Sequence, residues 1–537
     1  MDTREAGLTG SAYDRVATRP AEATPPPVLE VASGDITRWA GDAVVVNLFE
    51  GVTAPGGATG AVDRALDGEL SELIEAGDVS GRAGQVSVLW SRGRLGAKRV
   101  IVVGLGPREA FDAEGARRAS AAAVKRANEL GARDVATIAH GAGIGGLVPL
   151  DAGRATLEGA GLALYDFRGW KSTSGEGRRK VAGVTLLEAD ATKLPTFEEA
   201  ARWARAAVRG AYLARDLVNT PANVATPAFL AEAARGLAGA TLKVRAEDES
   251  WAAAEGMGAL LAVAKGSVNP PRFIVMEHDR GVNGAPTLVL VGKGVTFDTG
   301  GFSLKTRDGM VHMKGDMAGA AAVIGTMAAV SELDLPIRVV GICPCVENMA
   351  DANAYRPSDV LVARGGTSIE VISTDAEGRL ALADALSYAA TFEPTAVIDI
   401  ATLTGSSIVA LGAGVSASLF ANDDALAARV EAASGSTGER VWRMPLFDEY
   451  RRTIESQVAD MKNSGGARGG VGTAAVFLER FVSYPWAHLD MAGLEHVEKP
   501  GPRHYLQPGA SGYGVRLLLE LVRSWESRER SPDGPTM

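Results

Sequence analysis

The run Thr287-Leu-Val-Leu-Val-Gly292 is the feature that most limits the possible folds of this 537-residue chain. Nearly every position in it is apolar, whereas a strand with one face in water alternates apolar and polar residues. Such a run predicts a strand in the middle of a sheet that is covered on both faces by helices. We therefore expect an α/β fold built on this strand.

Strand-like and helical segments alternate along the chain, first in a smaller N-terminal region and then in a larger C-terminal one. It predicts a small N-terminal α/β domain and a larger C-terminal α/β domain with a mostly parallel, mixed central sheet covered by helices. The predicted divisions are a flexible leader at 1–27, the N-terminal domain at 28–180, a strand and linker helix at 181–217, the C-terminal domain at 218–526 and a flexible tail at 527–537.

Individual elements follow from the apolar periodicity. Strands are predicted at 43–48, 99–103, 135–140, 180–188, 272–277, 287–293, 337–346, 369–373, 396–401 and 486–490. Helices are predicted at 116–130, 196–217, 318–332, 380–392, 425–434, 472–481 and 513–527.

Charge and cysteine content limit the partners and the cellular compartment that we expect for the protein. A formal net charge of −10 argues against nucleic acid and anionic membranes as partners. No uninterrupted apolar run of 18 residues is present, so no membrane span is predicted, and the first residues lack the apolar region of a secretory signal. The only two cysteines, Cys343 and Cys345, lie in an apolar strand-like run and are predicted to be buried thiols. A cytoplasmic protein is the prediction.

Two charged clusters follow predicted strands. Lys293, Asp298 and Asp316 come after the apolar run, and Asp375 and Glu377 come after the strand at 369–373. An isolated charged stretch is usually a solvated turn, but the carboxyl ends of neighbouring strands form the ligand crevice of α/β sheets. Carboxylates that converge there need a compensating positive charge, and two divalent cations would supply it. Oxygen ligands favour Mg²⁺ or Mn²⁺ over Zn²⁺ by hardness alone.

Two further cations lie in the same clusters. Lys305 and Arg379 would stand beside such metal ions, where they could stabilise an oxyanion or hold an anionic base or substrate group.

These clusters resemble the leucyl aminopeptidase (cytosol aminopeptidase) family of dimetal exopeptidases. The family signature N-T-D-A-E-G-R-L stands here as Ser373-Thr-Asp-Ala-Glu-Gly-Arg-Leu380, with one difference at Ser373. The upstream pattern V-G-K-G-[IV]-T-F-D-[ST]-G-G is also met. Further matches are Glu347-Asn-Met349, Arg356-Pro357, Ala401-Thr-Leu-Thr-Gly405, Trp442-Arg-Met-Pro-Leu446, Trp486-Ala-His-Leu-Asp490 and Gly509-Ala-Ser-Gly512. The resemblance covers about residues 211–521.

The resemblance implies a role for each matching residue. One metal ion would be held by Lys293, Asp298, Asp316 and Glu377, and a more exchangeable one by Asp298, Asp375 and Glu377, with the Asp375 carbonyl assisting. The ions would be Mn²⁺ or Zn²⁺, with Mg²⁺ also possible.

Other matching residues would act on the substrate. Lys305 would polarise the scissile carbonyl and stabilise the tetrahedral intermediate, and Arg379 would hold a bicarbonate that acts as general base. Asp316 would also bind the free amino group of a peptide, and Met313, Thr402 and Leu403 would line the pocket for its first, leucine-like side chain. The resemblance further implies a homohexamer that the N-terminal domain helps to build.

Three alternatives remain at this stage. A two-metal phosphoesterase would also use oxygen ligands with a Lys/Arg pair. The stretch Gly141-Ala-Gly-Ile-Gly-Gly146 satisfies G-x-G-x-x-G, with Glu158 near the expected distance for a ribose ligand, and suggests a nucleotide-binding module in the N-terminal half; a lone fingerprint is weak. A DNA-binding regulatory role is disfavoured by the negative net charge.

Overall fold

The computed structural model describes residues 25–529 except 171–178, 467, 500, 502 and 504. Residues 1–24 of the predicted leader and 530–537 of the predicted tail lie outside the described part.

Twenty strands and sixteen α-helices occur in the described residues. The strands are β1 Val28–Ser33, β2 Ala43–Phe49, β3 Val86–Trp90, β4 Arg99–Gly106, β5 Asp134–Thr137, β6 Gly183–Glu188, β7 Leu242–Glu247, β8 Arg272–His278, β9 Thr287–Gly292, β10 Gly294–Asp298, β11 Arg338–Asn348, β12 Val360–Val362, β13 Ser368–Glu370, β14 Ala396–Ala401, β15 Ala417–Ala421, β16 Val441–Arg443, β17 Met461–Lys462, β18 Trp486–Asp490, β19 His496–Val497 and β20 Gly509–Ala510.

The helices are α1 Gly57–Ala65, α2 Glu69–Glu75, α3 Ala113–Glu129, α4 Pro149–Ala163, α5 Leu194–Asn219, α6 Pro227–Arg235, α7 Glu249–Ala254, α8 Gly258–Ala264, α9 Arg307–Met310, α10 Ala318–Leu333, α11 Glu377–Ala389, α12 Gly405–Leu411, α13 Asp424–Thr437, α14 Asp448–Thr453, α15 Gly470–Glu479 and α16 Val515–Glu529. Short 3₁₀ turns occur at Arg108–Ala110, Ala191–Lys193, Met313–Gly315 and Ala390–Phe392.

The N-terminal part is a six-stranded sheet in the order β1-β6-β5-β2-β4-β3. All neighbours run parallel except β3, which is antiparallel to β4. The predicted small α/β domain is therefore confirmed.

The C-terminal part is built on a nine-stranded mixed sheet in the order β16-β15-β18-β14-β9-β11-β8-β7, with β10 added beside β11. The strands β18, β14, β9 and β11 are parallel, whereas β15 and β8 join antiparallel to β18 and β11 respectively. The mostly parallel, mixed sheet predicted from the apolar runs is confirmed.

Strand β9 shows why its sequence is apolar throughout. Leu288 and Leu290 belong to the hydrophobic core shared with α10, whereas Val289 and Val291 belong to the core shared with α11. All four side chains are fully buried. Successive side chains of a strand point to opposite faces, so a sheet with helices on both faces needs apolar residues at every position.

The long helix α5 connects the two parts and packs along α10. Gly210 of α5 and Gly325 of α10 meet at the crossing, where a Cβ atom on either would collide with the carbonyl of the other. The stretch Arg307–Leu333, which includes α10, is the one described helical stretch long and apolar enough to cross a membrane; 83% of its most apolar window is buried inside the protein, as in the core helix of a globular protein.

Some element boundaries differ from the prediction. The strand expected at 369–373 ends at Glu370, because the backbone N–H groups of Ile372 and Ser373 donate to the Asn463 side chain instead of a neighbouring strand. The helix expected at 380–392 already begins at Glu377. Strand β10 was not predicted, because it follows β9 after a single residue. Cys343 and Cys345 are free and buried, as predicted.

Candidate metal centre

The two charged clusters converge at the carboxyl ends of the central strands. Lys293 follows β9, and Asp298 ends β10, where it pairs in register with Asn348 at the end of β11. Asp316 lies just before α10, and Glu377 is the first residue of α11. The parallel arrangement of β9, β11 and β14 places these chain segments at one edge of the sheet, as the crevice rule predicts.

Lys293 lies at the buried end of this cluster. Its Nζ is 2.8 Å from Asp316 Oδ1 and 2.9 Å from Glu377 Oε1, and it donates to the Thr402 carbonyl at 2.9 Å. The side chain is only 3% exposed. A Cβ atom at Gly378 would collide with the Lys293 side chain, so the glycine of the signature makes room for the lysine.

Lys305 lies at the more open end. Its Nζ is 2.8 Å from Asp298 Oδ2 and 2.5 Å from Asp375 Oδ1, and it therefore joins the loop after β10 to the loop before α11. Its side chain is 18% exposed, and that of Asp375 is 38% exposed. The cluster is thus buried at Lys293 and reachable from solvent at Lys305.

Neighbouring polar groups fix the carboxylates in place. Asp298 Oδ1 accepts hydrogen bonds from the Gly300 N–H and from Asn348 Nδ2, both at 2.7 Å. Asn348 Nδ2 and the Tyr355 hydroxyl both donate to the Thr374 carbonyl, at 3.0 and 2.8 Å. No role was predicted for Asn348 or Tyr355, although each lies in or beside a matched motif.

The Ser373 side chain retains a turn hydrogen bond. Its Oγ accepts from the Asp375 N–H at 3.2 Å, and its carbonyl accepts from Asn463 Nδ2 at 2.7 Å. The one departure from the family signature therefore leaves the turn hydrogen-bonded.

Burial and mutual repulsion raise the pKa values of several carboxylates. Burial, followed by the charge of Glu377, raises the pKa of Asp298 to about 6. Burial also raises the pKa of Asp316 well above its usual value and, less strongly, that of Asp375. Glu377 behaves differently, because Lys293 and Lys305 outweigh its burial and lower its pKa to about 2.

The same charges shift the pKa values of the two lysines. Burial lowers the pKa of Lys293, but Asp316, Glu377 and Asp298 together raise it above its ordinary value. The pKa of Lys305 is raised in the same way, chiefly by Asp298 against its burial. These shifts favour the ammonium form of both amines, whose positive charges neutralise part of the carboxylate charge.

Arg379 lies in the first turn of α11 and is buried. Its Nη1 donates to the Asn463 carbonyl at 2.7 Å, whereas its Nε has no hydrogen-bond partner among the described residues. Burial lowers its pKa to about 10. A buried guanidinium with an unused donor is suited to hold an anion.

Two of the three predicted pocket residues, Thr402 and Met313, contact Asp316, and the third, Leu403, contacts Asp490. Thr402 Oγ1 donates to Asp316 Oδ1 at 2.8 Å, and the Met313 carbonyl accepts from the Asp316 N–H at 3.3 Å. Leu403 is half-buried, and its N–H donates to Asp490 Oδ1 at 3.1 Å.

The donor set fits divalent cations. One carboxylate oxygen each from Asp298, Asp375 and Glu377 lie within 4.8 Å of one another. In the described part of the chain, the buried atoms Asp316 Oδ2 and Glu377 Oε2 have no hydrogen-bond partner. A buried carboxylate oxygen without a partner costs about 1–3 kcal/mol or more, a cost that a bound cation would remove.

The glycine-rich stretch at 141–146 does not open a helix, as the nucleotide fingerprint requires. Its loop ends before α4, which begins only at Pro149. Glu158 lies inside α4 and accepts from Arg117 at 2.7 Å and Arg154 at 2.9 Å. This carboxylate is therefore engaged by arginines and is not directed to a ribose.

Comparison with known proteins gives a consistent result over almost the whole chain. The model of the cytosol aminopeptidase family, catalytic domain, matches residues 212–519, and that of the family's N-terminal domain matches residues 45–174. The probable cytosol aminopeptidase of Roseiflexus castenholzii is 44% identical over 501 residues, which cover 92% of this chain and 99% of the relative. That of Geobacter sulfurreducens is 41% identical over 93% of this chain and 99% of the relative.

Solved structures are similar in the same region. A mutant of tomato leucine aminopeptidase is 34% identical with a TM-score of 0.83, over 95% of this chain and 98% of that chain. The bottromycin maturation enzyme BotP in complex with Mn is 35% identical with a TM-score of 0.79, over 91% of this chain and all of that one.

Proposed function

The chain belongs to the cytosol aminopeptidase family and is a metal-dependent aminopeptidase, and from this premise we propose that it uses two divalent cations to release leucine-like residues from the free N-terminus of peptides. The observation that supports this most directly is the cluster of Asp298, Asp375 and Glu377, from each of which one oxygen lies within 4.8 Å of the others. Two buried carboxylate oxygens of the site, Asp316 Oδ2 and Glu377 Oε2, also have no hydrogen-bond partner among the described residues.

We assign the ligands in two overlapping sets. Lys293, Asp298, Asp316 and Glu377 would hold the tighter ion, and Asp298, Asp375 and Glu377, with the Asp375 carbonyl, the more exchangeable one. The ions would be Mn²⁺ or Zn²⁺, with Mg²⁺ possible, and the neighbour solved with Mn supports the first choice. When bound, two such ions polarise a carbonyl oxygen and lower the pKa of water.

Lys293 must change its protonation state to act as a ligand. Its ammonium now donates to Asp316, to the Thr402 carbonyl and to Glu377. An amine ligand has to be neutral, so loading of the site requires that Lys293 release its proton. Its burial favours the neutral form once the carboxylates have another cation to neutralise them.

Lys305 would stabilise the negative charge that develops on the scissile carbonyl oxygen. Its ammonium lies at the solvent-reachable end of the cluster, between Asp298 and Asp375. A cation placed in advance where an oxyanion forms stabilises the transition state without reorganisation.

Arg379 would hold a bicarbonate that accepts a proton from the attacking water. Its unused Nε and its position two residues after Glu377 support this role. Met313, Thr402 and Leu403 would contact the first side chain of the substrate, while Asp316 would bind its amino group.

From its membership of the family, we propose that the protein forms a homohexamer, to which the N-terminal domain contributes. We also propose that it is located in the cytoplasm. The match of residues 45–174 to the family's N-terminal domain and the name of the relatives support both proposals.

A metal and substrate panel tests the function. Metal-stripped protein restored with Mn²⁺, Zn²⁺, Mg²⁺ or Co²⁺ should hydrolyse leucine p-nitroanilide and leave p-nitrophenyl phosphate intact. Asp375→Ala and Glu377→Ala should each remove most activity, whereas the matched control Asp308→Ala, whose side chain is 95% exposed, should not. Wild-type rates in both site variants, or faster phosphate ester hydrolysis, would refute the assignment.

A further inference from the structure

A pair of histidines lies beside the candidate active site and has no part in the function proposed above. His312 immediately precedes the 3₁₀ turn Met313–Gly315, which leads to Asp316. His496 lies on β19, which pairs with β20 through His496 and Ala510. The two imidazole rings face each other with centroids 5.2 Å apart and planes inclined by 40°. Two separate segments of the chain thus present imidazoles to each other.

We propose that His312 and His496 form a peripheral binding site for a transition-metal ion such as Zn²⁺, Ni²⁺ or Cu²⁺, distinct from the carboxylate centre. Imidazole nitrogen is a preferred ligand of these ions, whereas the oxygen-rich carboxylate centre also suits harder ions.

The spacing of the rings agrees with a shared ion. A Zn–N bond is about 2.0–2.1 Å, and the ring centre lies about 1.1 Å beyond the nitrogen, so an ion is about 3.2 Å from each ring centre. Two such rings at a tetrahedral angle have centres about 5.2 Å apart. The observed separation of 5.2 Å equals this centre-to-centre distance.

Accessibility and charge also suit an ion from solution. His312 is exposed and His496 is partly exposed. Burial, His312 and Lys314 lower the pKa of His496, so its ring is neutral and its lone pair is available at neutral pH. Lys314 is engaged with the Asn219 carbonyl at 2.8 Å.

A carboxylate follows His496 on the same segment. Glu498 is exposed and lies two positions after His496, just beyond the end of β19. Its charge acts on His496 in the direction that raises the pKa of the ring. Two imidazoles can hold Zn²⁺ with water at the remaining positions.

An ion at this site would join the β19–β20 ribbon to the segment that carries Met313. Because that segment contributes to the proposed substrate pocket, occupation of the pair would restrain one wall of the active site. The site would thereby connect the concentration of free transition metal to the mobility of that wall.

Copper provides a spectroscopic test on the full-length protein loaded with Zn²⁺, which is silent in electron paramagnetic resonance. One added equivalent of Cu²⁺ should give superhyperfine splitting from two imidazole nitrogens. His312→Ala and His496→Ala should each weaken Cu²⁺ binding at least tenfold and remove the two-nitrogen signal. The matched control Val311→Ala, which alters an exposed neighbour of His312, should retain both.

The outcomes separate this site from the catalytic centre. Zinc content measured in the same samples should be unchanged in the histidine variants, and His496→Asn provides a second substitution if His496→Ala folds poorly. An identical Cu²⁺ spectrum and affinity in the His312→Ala/His496→Ala double variant would overturn the proposal. A loss in Val311→Ala equal to that in His312→Ala would overturn it as well.

Discussion

Glu158 should contribute strongly to stability, because it pairs with two arginines that in turn contact the C-terminal part of the chain. Its carboxylate is 1% exposed and accepts from Arg117 and Arg154. Arg117 in turn donates to the Ser436 carbonyl of α13, and Arg154 to Glu520 of α16, both at 2.6 Å. Replacement by Gln keeps the shape of the side chain, removes its charge and turns one of its two acceptor oxygens into an amide N–H donor beside an arginine.

The magnitude follows from the pKa of Glu158. Burial raises this pKa, but Arg154, Arg117 and Arg516 outweigh it and lower the pKa from 4.5 to about 2. At about 1.4 kcal/mol per pKa unit, the charge contributes roughly 3 kcal/mol to the free energy of unfolding. A depressed carboxylate pKa stabilises the fold above pH 4.5, and this contribution is lost as the pH falls through 2. Near pH 3 about half of it remains.

Urea denaturation at pH 7.5 and one fixed protein concentration measures the effect. Glu158→Gln should lower the free energy of unfolding by roughly 3 kcal/mol, and the difference from wild type should shrink between pH 5 and pH 3. The control Glu129→Gln, whose side chain is 62% exposed and paired with Arg126, should change it by less than about 0.5 kcal/mol. A loss below 1 kcal/mol for Glu158→Gln, or a loss independent of pH, would refute the reasoning.

Three further predictions concern the metal centre. Lys305→Met should lower kcat by about 10²–10³-fold with the metal content unchanged, as metal analysis beside steady-state kinetics would show; metal lost in proportion to activity would contradict a role in oxyanion stabilisation. Arg379→Met should lower kcat and abolish any acceleration by added bicarbonate, and a bicarbonate response equal to that of wild type would count against the anion site. Binding of Mn²⁺ to metal-stripped protein at pH 7.5 should release protons, because the carboxylates raise the pKa of Lys293 above its ordinary value despite burial. Calorimetry in buffers of different ionisation enthalpy measures this release, and none at all would exclude Lys293 as a ligand.

The positions of the main strands and helices could be predicted from the sequence where an element is buried on both of its faces. Strands β9, β14 and β18 are buried at every position and mostly apolar, and their predicted bounds agree with the structure to within one residue. Edge elements such as β7 and β16 were missed, because a strand partly exposed to solvent carries a mixed pattern that resembles a loop.

The start of α11 illustrates the limit of local periodicity. Glu377 and Arg379 are charged and were placed in a turn, yet both lie in the first turn of the helix and are buried. Their charges are tolerated inside the protein because Lys293 contacts Glu377 and the Asn463 carbonyl contacts Arg379. In each of the two contacts the partners are 84 residues apart along the chain, and no local pattern connects them.

The arrangement of two α/β parts, the order of the charged clusters and, through the signature at Ser373–Leu380, the family of the chain can all be read from the amino-acid sequence alone. Apolar runs and motif spacing are local properties, and local properties can be read along the chain. Only the tertiary structure decided which groups meet: that Lys293 contacts Asp316 and Glu377, that Lys305 bridges Asp298 and Asp375, and that His312 faces His496. Strand order and crossover connections set these contacts, because they place chain ends distant in sequence at one edge of the sheet.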